Sequence, residues 1–172
     1  LIDGNEQSLR GLRVAGIGDL VADRFLPQPA PLEELSAKAA EINEMWAQVK
    51  SPPHVFMVHN HRIAKAIEPG LFPVVVYGHT HVLELQQIDA TVYINAGTTG
   101  AAGIRGLQSK EPLPYSLSLL YFAYDRDGQP YLTAVDGVHV AGLGQSFSLQ
   151  RTFIRAGRNP DGDVEMLSRV RQ

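Results

Sequence analysis

The stretch that decides the fold is Pro73-Val74-Val75-Val76-Tyr77-Gly78-His79-Thr80-His81. An apolar β-branched run is bounded by proline on one side and glycine on the other, which reads as a buried strand. Gly78 has no Cβ, so a ligand or a second backbone can approach it closely. Two histidines follow at i and i+2, and in a loop both rings can converge on one small volume. Neutral imidazole is the commonest protein ligand for zinc-, iron- and manganese-type ions. A second unit of the same kind stands upstream, Val55-Phe56-Met57-Val58-His59. Two strands that each end in histidine point to one site across the carboxyl ends of a sheet, where open α/β sheets bind ligands.

Outward from these units, the chain alternates strand and helix signals. Leu12 to Ile17 reads as a strand that ends at Gly18-Asp19. Asp19 and Asp23 read as a turn and a solvated loop, with a metal-binding or ligand-supporting role as the alternative. Leu1 to Arg10 reads as polar and turn-like. After the proline-rich connection Pro27 to Pro31, a helix is expected from Pro31 or Leu32 to Lys50. Leu32, Leu35, Ala39, Ile42, Trp46 and Val49 share one face at helical spacing. Ser51-Pro52-Pro53 stops it. His54 reads as a cap on the start of the following strand and not as a ligand. A short helix is expected over Ile63 to Ile67, closed by Pro69-Gly70.

Beyond the organising strand, Val82 to Ile88 reads as a half-buried strand that turns at Asp89-Ala90 and returns through Thr91 to Asn95 as a hairpin. Gly97 to Gly106 reads as a loop over the site or a plain connection. Tyr115 to Tyr124, Tyr131 to Val140 and Phe147 to Arg155 read as an antiparallel set, with a turn at Asp125-Arg126-Asp127-Gly128. Phe147, Leu149 and Phe153 alternate with polar residues, so one face should be wet. His139, within this set, reads as a core or surface histidine. Residues 1–155 form the domain part and 156–172 a polar tail, read as a turn followed by a frayed or helical end.

The bulk numbers exclude several classes. The 172 residues suit one domain or a large part of one, and 44% hydrophobic content is enough for a sizeable core. A formal charge of −3 and the absence of a Lys/Arg run argue against a nucleic-acid surface. With no cysteine there is neither a disulfide frame nor a thiolate metal site. No apolar stretch approaches the roughly 18 residues that span a bilayer. A cytoplasmic location is expected, and a membrane-associated parent protein is compatible with it.

The two strand-histidine units, followed by Tyr93-Ile94-Asn95-Ala96-Gly97-Thr98, resemble the C-terminal half of the calcineurin-like metallophosphoesterase superfamily. In that family one strand ends in a metal-binding His, the next in Gly-His-x-His, and a further strand runs into an Asn-Pro-Gly-Ser-like turn. Here Ala96 and Thr98 depart conservatively from the last motif. The Asp-x-His, Gly-Asp-x-x-Asp and Gly-Asn-His-Asp/Glu motifs of the family's first half are not found. Asp3-Gly4-Asn5-Glu6 lacks the His and reads as a turn. The chain is therefore read as a fragment that begins after the motif-bearing half.

The resemblance implies an α/β chain that forms part of a four-layer αββα sandwich. A mixed sheet with a flanking helix would stand against an antiparallel second sheet. It implies a metal-dependent phosphoric ester hydrolase acting on a phosphomono- or diester. His59 and His79 would hold one metal and His81 the other, in a complete site of two divalent or transition ions such as manganese, iron or zinc. Two such ions about 3.5 Å apart generate a hydroxide nucleophile and clamp the phosphoryl oxygens. Asn60, His61 and Arg62 are substrate-contact candidates, and no catalytic residue is assigned within this chain. Two other readings stand beside it. One is a non-catalytic module of the same fold used as a scaffold. The other is a cupin-like mononuclear site built on His79, His81 and Glu84, which lacks the glycine a cupin motif wants in the run Leu85 to Asn95. A half-sandwich leaves strand edges and apolar faces open, so the expected partners are a phosphoester substrate and either the N-terminal half of the domain or a second copy.

Overall fold

The computed structural model describes residues 5–21, 29–99, 115–141 and 146–154. Asp23, most of the glycine-rich segment after Thr98 and the polar tail lie outside the described residues.

Six strands form a mixed sheet in the order β1 (Glu6–Leu9), β2 (Leu12–Ile17), β3 (Val55–Val58), β4 (Val74–Tyr77), β6 (Thr91–Ala96) and β5 (Leu83–Ile88). The central four run parallel, and β1 and β5 pair antiparallel at the two edges. The parallel strands are short apolar runs because both of their faces are covered. Helices α1 (Leu32–Ala47) and α2 (His61–Ala66) lie on one face. There Leu35, Ala39, Ile42, Ile63 and Ala64 pack with Phe56, Val58, Val75, Tyr77 and Tyr93. Trp46 is an anchor, as expected: its ring meets Phe56 and Phe72 edge-on, and those two stack at 4.4 Å.

The opposite face carries Val55, Val74, Val92 and Ile94. It packs on a three-stranded antiparallel sheet of β7 (Tyr115–Tyr124), β8 (Pro130–Ala141) and β9 (Ser146–Phe153), through Leu120, Phe122, Leu132 and Val135. The described residues thus form three layers: helices, mixed sheet, antiparallel sheet. This is the expected mixed α/β architecture with its separate antiparallel sheet. A cupin fold requires a wholly β jelly roll, which four parallel strands under helices rule out.

Three local expectations are corrected. Glu6–Leu9 is a strand and not a turn: Arg10 and Gly11 both adopt left-handed backbone, which closes a tight hairpin onto β2. Helix α1 ends at Ala47, so Lys50 lies beyond it. Leu32 and Val49, placed on the apolar face by spacing, are exposed, because one is the first residue of the helix and the other lies beyond its end. His54 behaves as expected. It is buried, and its Nδ1 accepts the Arg13 backbone N–H at 3.0 Å.

Candidate metal centre

Parallel pairing sets the site. Ile17 lies opposite Val58, Val58 opposite Tyr77, and Tyr77 opposite Asn95. The residues that follow these strand ends therefore emerge side by side: Asp19 after β2, His59 after β3, Gly78-His79 after β4. The strands approach closely here. A Cβ on Gly16 would lie 2.5 Å from the Met57 carbonyl oxygen, so only glycine fits. At Gly78 a Cβ would meet the His59 ring at 3.6 Å, an ordinary contact. The close neighbour expected at Gly78 is therefore the His59 side chain.

His59 and His79 meet edge-on, with ring centroids 5.4 Å apart. His59 Nε2 stands 3.6 Å from Asp19 Oδ2, an ion-pair distance and too long for a hydrogen bond. The turn expected at Asp19 is present. Its Oδ1 accepts the Val21 N–H, as in a turn, while its other oxygen faces the site. His79 and His81 both take left-handed backbone, at φ 75 and 59. Such geometry is uncommon for residues other than glycine and clusters at functional sites. His81 is exposed and lies near enough for its charge to bear on His79. Among the described residues it makes none of the ring contacts that tie His79 to its neighbours.

The substrate-contact candidates fall on one turn. Asn60 caps α2 by accepting the Arg62 N–H at 2.9 Å. His61 opens the helix, and its ring stacks on His79 at 5.3 Å. Its Nδ1 is buried without a hydrogen-bond partner. Arg62 is exposed. Burial pushes the His61 imidazole below its usual range, and the charges of His79, Arg62 and Lys65 push the same way. Burial and the His59 charge likewise lower His79, opposed by Asp19. Both rings are therefore neutral near pH 7 and keep a lone pair for a ligand. Beside them Lys65 and Glu84 pair at 2.9 Å, and that lysine holds the carboxyl of Glu84 below the usual range.

Sequence reasoning quoted Asn95 within a turn motif but gave no role to it, and this is the residue that fixes the histidine loop. Asn95 is fully buried; its amide donates to the Gly78 carbonyl and to Thr80 Oγ1, and its carbonyl accepts the Gly97 N–H. The Asn-x-Gly turn was the available signal, but sequence does not say which loop it clamps. His139 is half-buried in the groove between the sheets. The donor set suits a transition ion in kind, being imidazole plus carboxylate. Among the described residues, however, no three such groups lie close enough to enclose one ion.

A mixed parallel sheet with histidines at adjacent strand ends, backed by an antiparallel sheet, defines a two-sheet α/β protein. A family model described as the calcineurin-like phosphoesterase superfamily domain matches residues 13–111, more than half of the chain. The chain belongs to that superfamily. No curated protein matches the sequence. Among solved structures it is similar to wild-type Vps29 of Entamoeba histolytica complexed with zinc. There the identity is 12% and the TM-score 0.39, over 87% of this chain and 59% of that one. It is also similar to Vacuolar Protein Sorting 29 of Cryptosporidium parvum, with 15% identity, TM-score 0.34, and 82% and 97% coverage. The chain thus spans less than two thirds of the Entamoeba protein's length.

Proposed function

We propose that the chain supplies the histidine-bearing part of a metal-dependent phosphoester hydrolase acting on a phosphomono- or diester. The observation that carries this reading is the meeting of His59 and His79 at 5.4 Å, with Asp19 beside His59, at the carboxyl ends of β2, β3 and β4. Membership of the superfamily supports it. In this reading His59 and His79 would hold one ion, His81 would serve a second, and Asp19 would either complete the first or orient His59. Bound there, the ions would supply an activated water and neutralise charge on the phosphoryl oxygens. The chain's own residues bind and orient. Arg62 offers a charged fork to a phosphate oxygen. His61, its ring stacked on His79, lies where it can meet a substrate beside the proposed ion. Further carboxylates, of the kind the motifs not found in this sequence would carry, are needed to complete the shell.

The second reading is a binding scaffold of the same fold. It draws on the absence, among the described residues, of three donors close enough to enclose an ion. Metal content per chain, by plasma mass spectrometry, separates the two when native protein is compared with the His79→Ala/His81→Ala variant. About two transition ions lost in the variant mean a complete site. About one, lost in the variant, means a shell awaiting further carboxylates. No metal in either protein overturns the catalytic reading in favour of the scaffold.

A further inference from the structure

Among the described residues the two sheets end in four edge strands, and three of them are guarded against pairing with another chain. β1 has only four residues. β5 carries Glu84, Gln86 and Gln87. β7 is covered at its start, where the Ser116 N–H donates to the Thr98 carbonyl at 2.8 Å on the side away from β8. Short length, charge and covering by another segment are among the usual protections of an edge. β9 has none of them. It runs eight residues, Ser146–Phe153, without proline, lysine or acidic residue, and pairs with β8 in unbroken register. Among the described residues nothing pairs with its outer edge. On one face it shows Phe147 at 76%, Leu149 at 53% and Phe153 at 72% exposure. These three expose roughly 400 Å² of apolar side chain per copy, at the 150–250 Å² an aromatic ring offers.

We infer that β9 is the homodimer edge of this chain. It pairs antiparallel with β9 of a second copy, so that two three-stranded sheets join into one of six strands. Charge and shape select the second copy as occupant. The strand's single ionic group, Arg151, is tied back onto its own sheet. It donates to both Asp136 oxygens at 2.7 Å, and its guanidinium lies 4.8 Å over the Tyr121 ring. The edge therefore presents no bare charge to a copy of itself.

The same residues select the register. In an antiparallel pair, residues directly opposite lie on one face. A two-fold axis at Gln150 sets Phe147 against Phe153 of the second copy at both ends. It also sets Leu149 against the aliphatic stem of Arg151. An axis at Arg151 would oppose guanidinium to guanidinium. An axis at Leu149 would leave Phe153 facing a residue beyond the strand's start at Ser146.

The cysteine-free chain makes the test clean. Sedimentation of the full chain across concentration should show a species of twice 18.8 kDa. Phe147→Lys with Phe153→Lys should weaken it at least roughly tenfold, with the circular dichroism spectrum unchanged, since both side chains are largely exposed. Under mild oxidation Gln150→Cys should cross-link to itself across the axis. Ser148→Cys, opposite Thr152 in this register, should not. A monomer at every concentration overturns the proposal and leaves the edge to a foreign strand. So does a dimer insensitive to the lysines, or one in which Ser148→Cys cross-links as readily as Gln150→Cys.

Discussion

The side-chain amide of Asn95 donates to Thr80 Oγ1 at 2.7 Å, joining the buried end of one strand to the middle of the loop that carries His79 and His81. The same amide reaches the Gly78 carbonyl at 3.2 Å, and the Asn95 carbonyl takes the Gly97 N–H at 3.0 Å. Three polar groups on two loops thus depend on one side chain with no exposure. The left-handed backbone of His79 and His81 persists because this clamp over-determines it.

Asn95→Ala should therefore act on both stability and the site. It leaves the half-buried Gly78 carbonyl and Gly97 N–H and the exposed Thr80 hydroxyl without their partner, so chemical denaturation should show a loss of roughly 1–3 kcal/mol. Thr80→Val removes one acceptor at an exposed position and should cost about 1 kcal/mol. If the clamp sets the histidine loop, Asn95→Ala should also weaken zinc or manganese binding more than its stability loss accounts for. Equal metal affinity in folded Asn95→Ala would refute a positioning role.

A second prediction concerns the glycines that let the strand ends close up. Gly97 sits at φ 75, and a Cβ there would collide with Ser116 Oγ, which itself donates to the Ala96 carbonyl. Gly97→Ala combines left-handed strain with overpacking and should cost more than about 2 kcal/mol. Gly70 also has positive φ, at 93, but a Cβ there meets nothing within 4 Å. Gly70→Ala should therefore show the backbone penalty alone, about 1 kcal/mol. Equal losses at the two positions would show that packing at Gly97 counts for nothing.

The contrast between these residues shows what sequence could and could not carry. Strands β3, β4 and β6 were legible because both of their faces are covered, which leaves continuous apolar runs between proline, glycine and polar residues. His59 and His79 were legible as a pair because each follows such a run. Glu6–Leu9 was not, since a four-residue, wholly exposed edge strand has no hydrophobic period. Its existence depends on the Arg10-Gly11 hairpin and on pairing with β2. Nor could sequence reveal that His61 would turn onto His79. That contact depends on where the α2 cap at Asn60 aims the first helical residue. Asp19 was visible as a candidate, but its second oxygen facing His59 is set by the parallel register of β2 on β3.

Asp19 gives the third prediction. Its Oδ2 lies 3.6 Å from His59 Nε2, and in the proposed centre it would act on the ion as a ligand or by orienting His59. Asp19→Asn keeps the shape and the Val21 turn but removes the charge. Calorimetric titration with zinc or manganese should show affinity lower by about ten- to a hundredfold, the usual range for such supporting carboxylates. Stability should change little, since the group is partly exposed. Unchanged affinity would place Asp19 outside the centre and return it to the role of a loop residue.

The last prediction is the direction in which pH acts on the metal-free protein. Burial, foremost, holds His54, His61 and His79 below the usual imidazole range. For each, the unfolded chain takes up its proton at the ordinary value near 6.5, while the folded chain resists until a lower pH. Stability rises with pH wherever the unfolded state holds more protons. The contribution of these rings is therefore fully present above about pH 7 and is lost as pH falls below the ordinary value. His54 isolates the effect from the site. It lies away from the other two, on the opposite end of β3, and its Nδ1 must stay unprotonated to accept from Arg13. His54→Gln preserves an acceptor and removes the titration, so thermal unfolding in the presence of a chelator should show a shallower decline between about pH 7 and 5. A parent protein equally stable at both pH values, or a variant with the same slope, would mean that His54 accommodates its proton by breaking the bond to Arg13 at no cost.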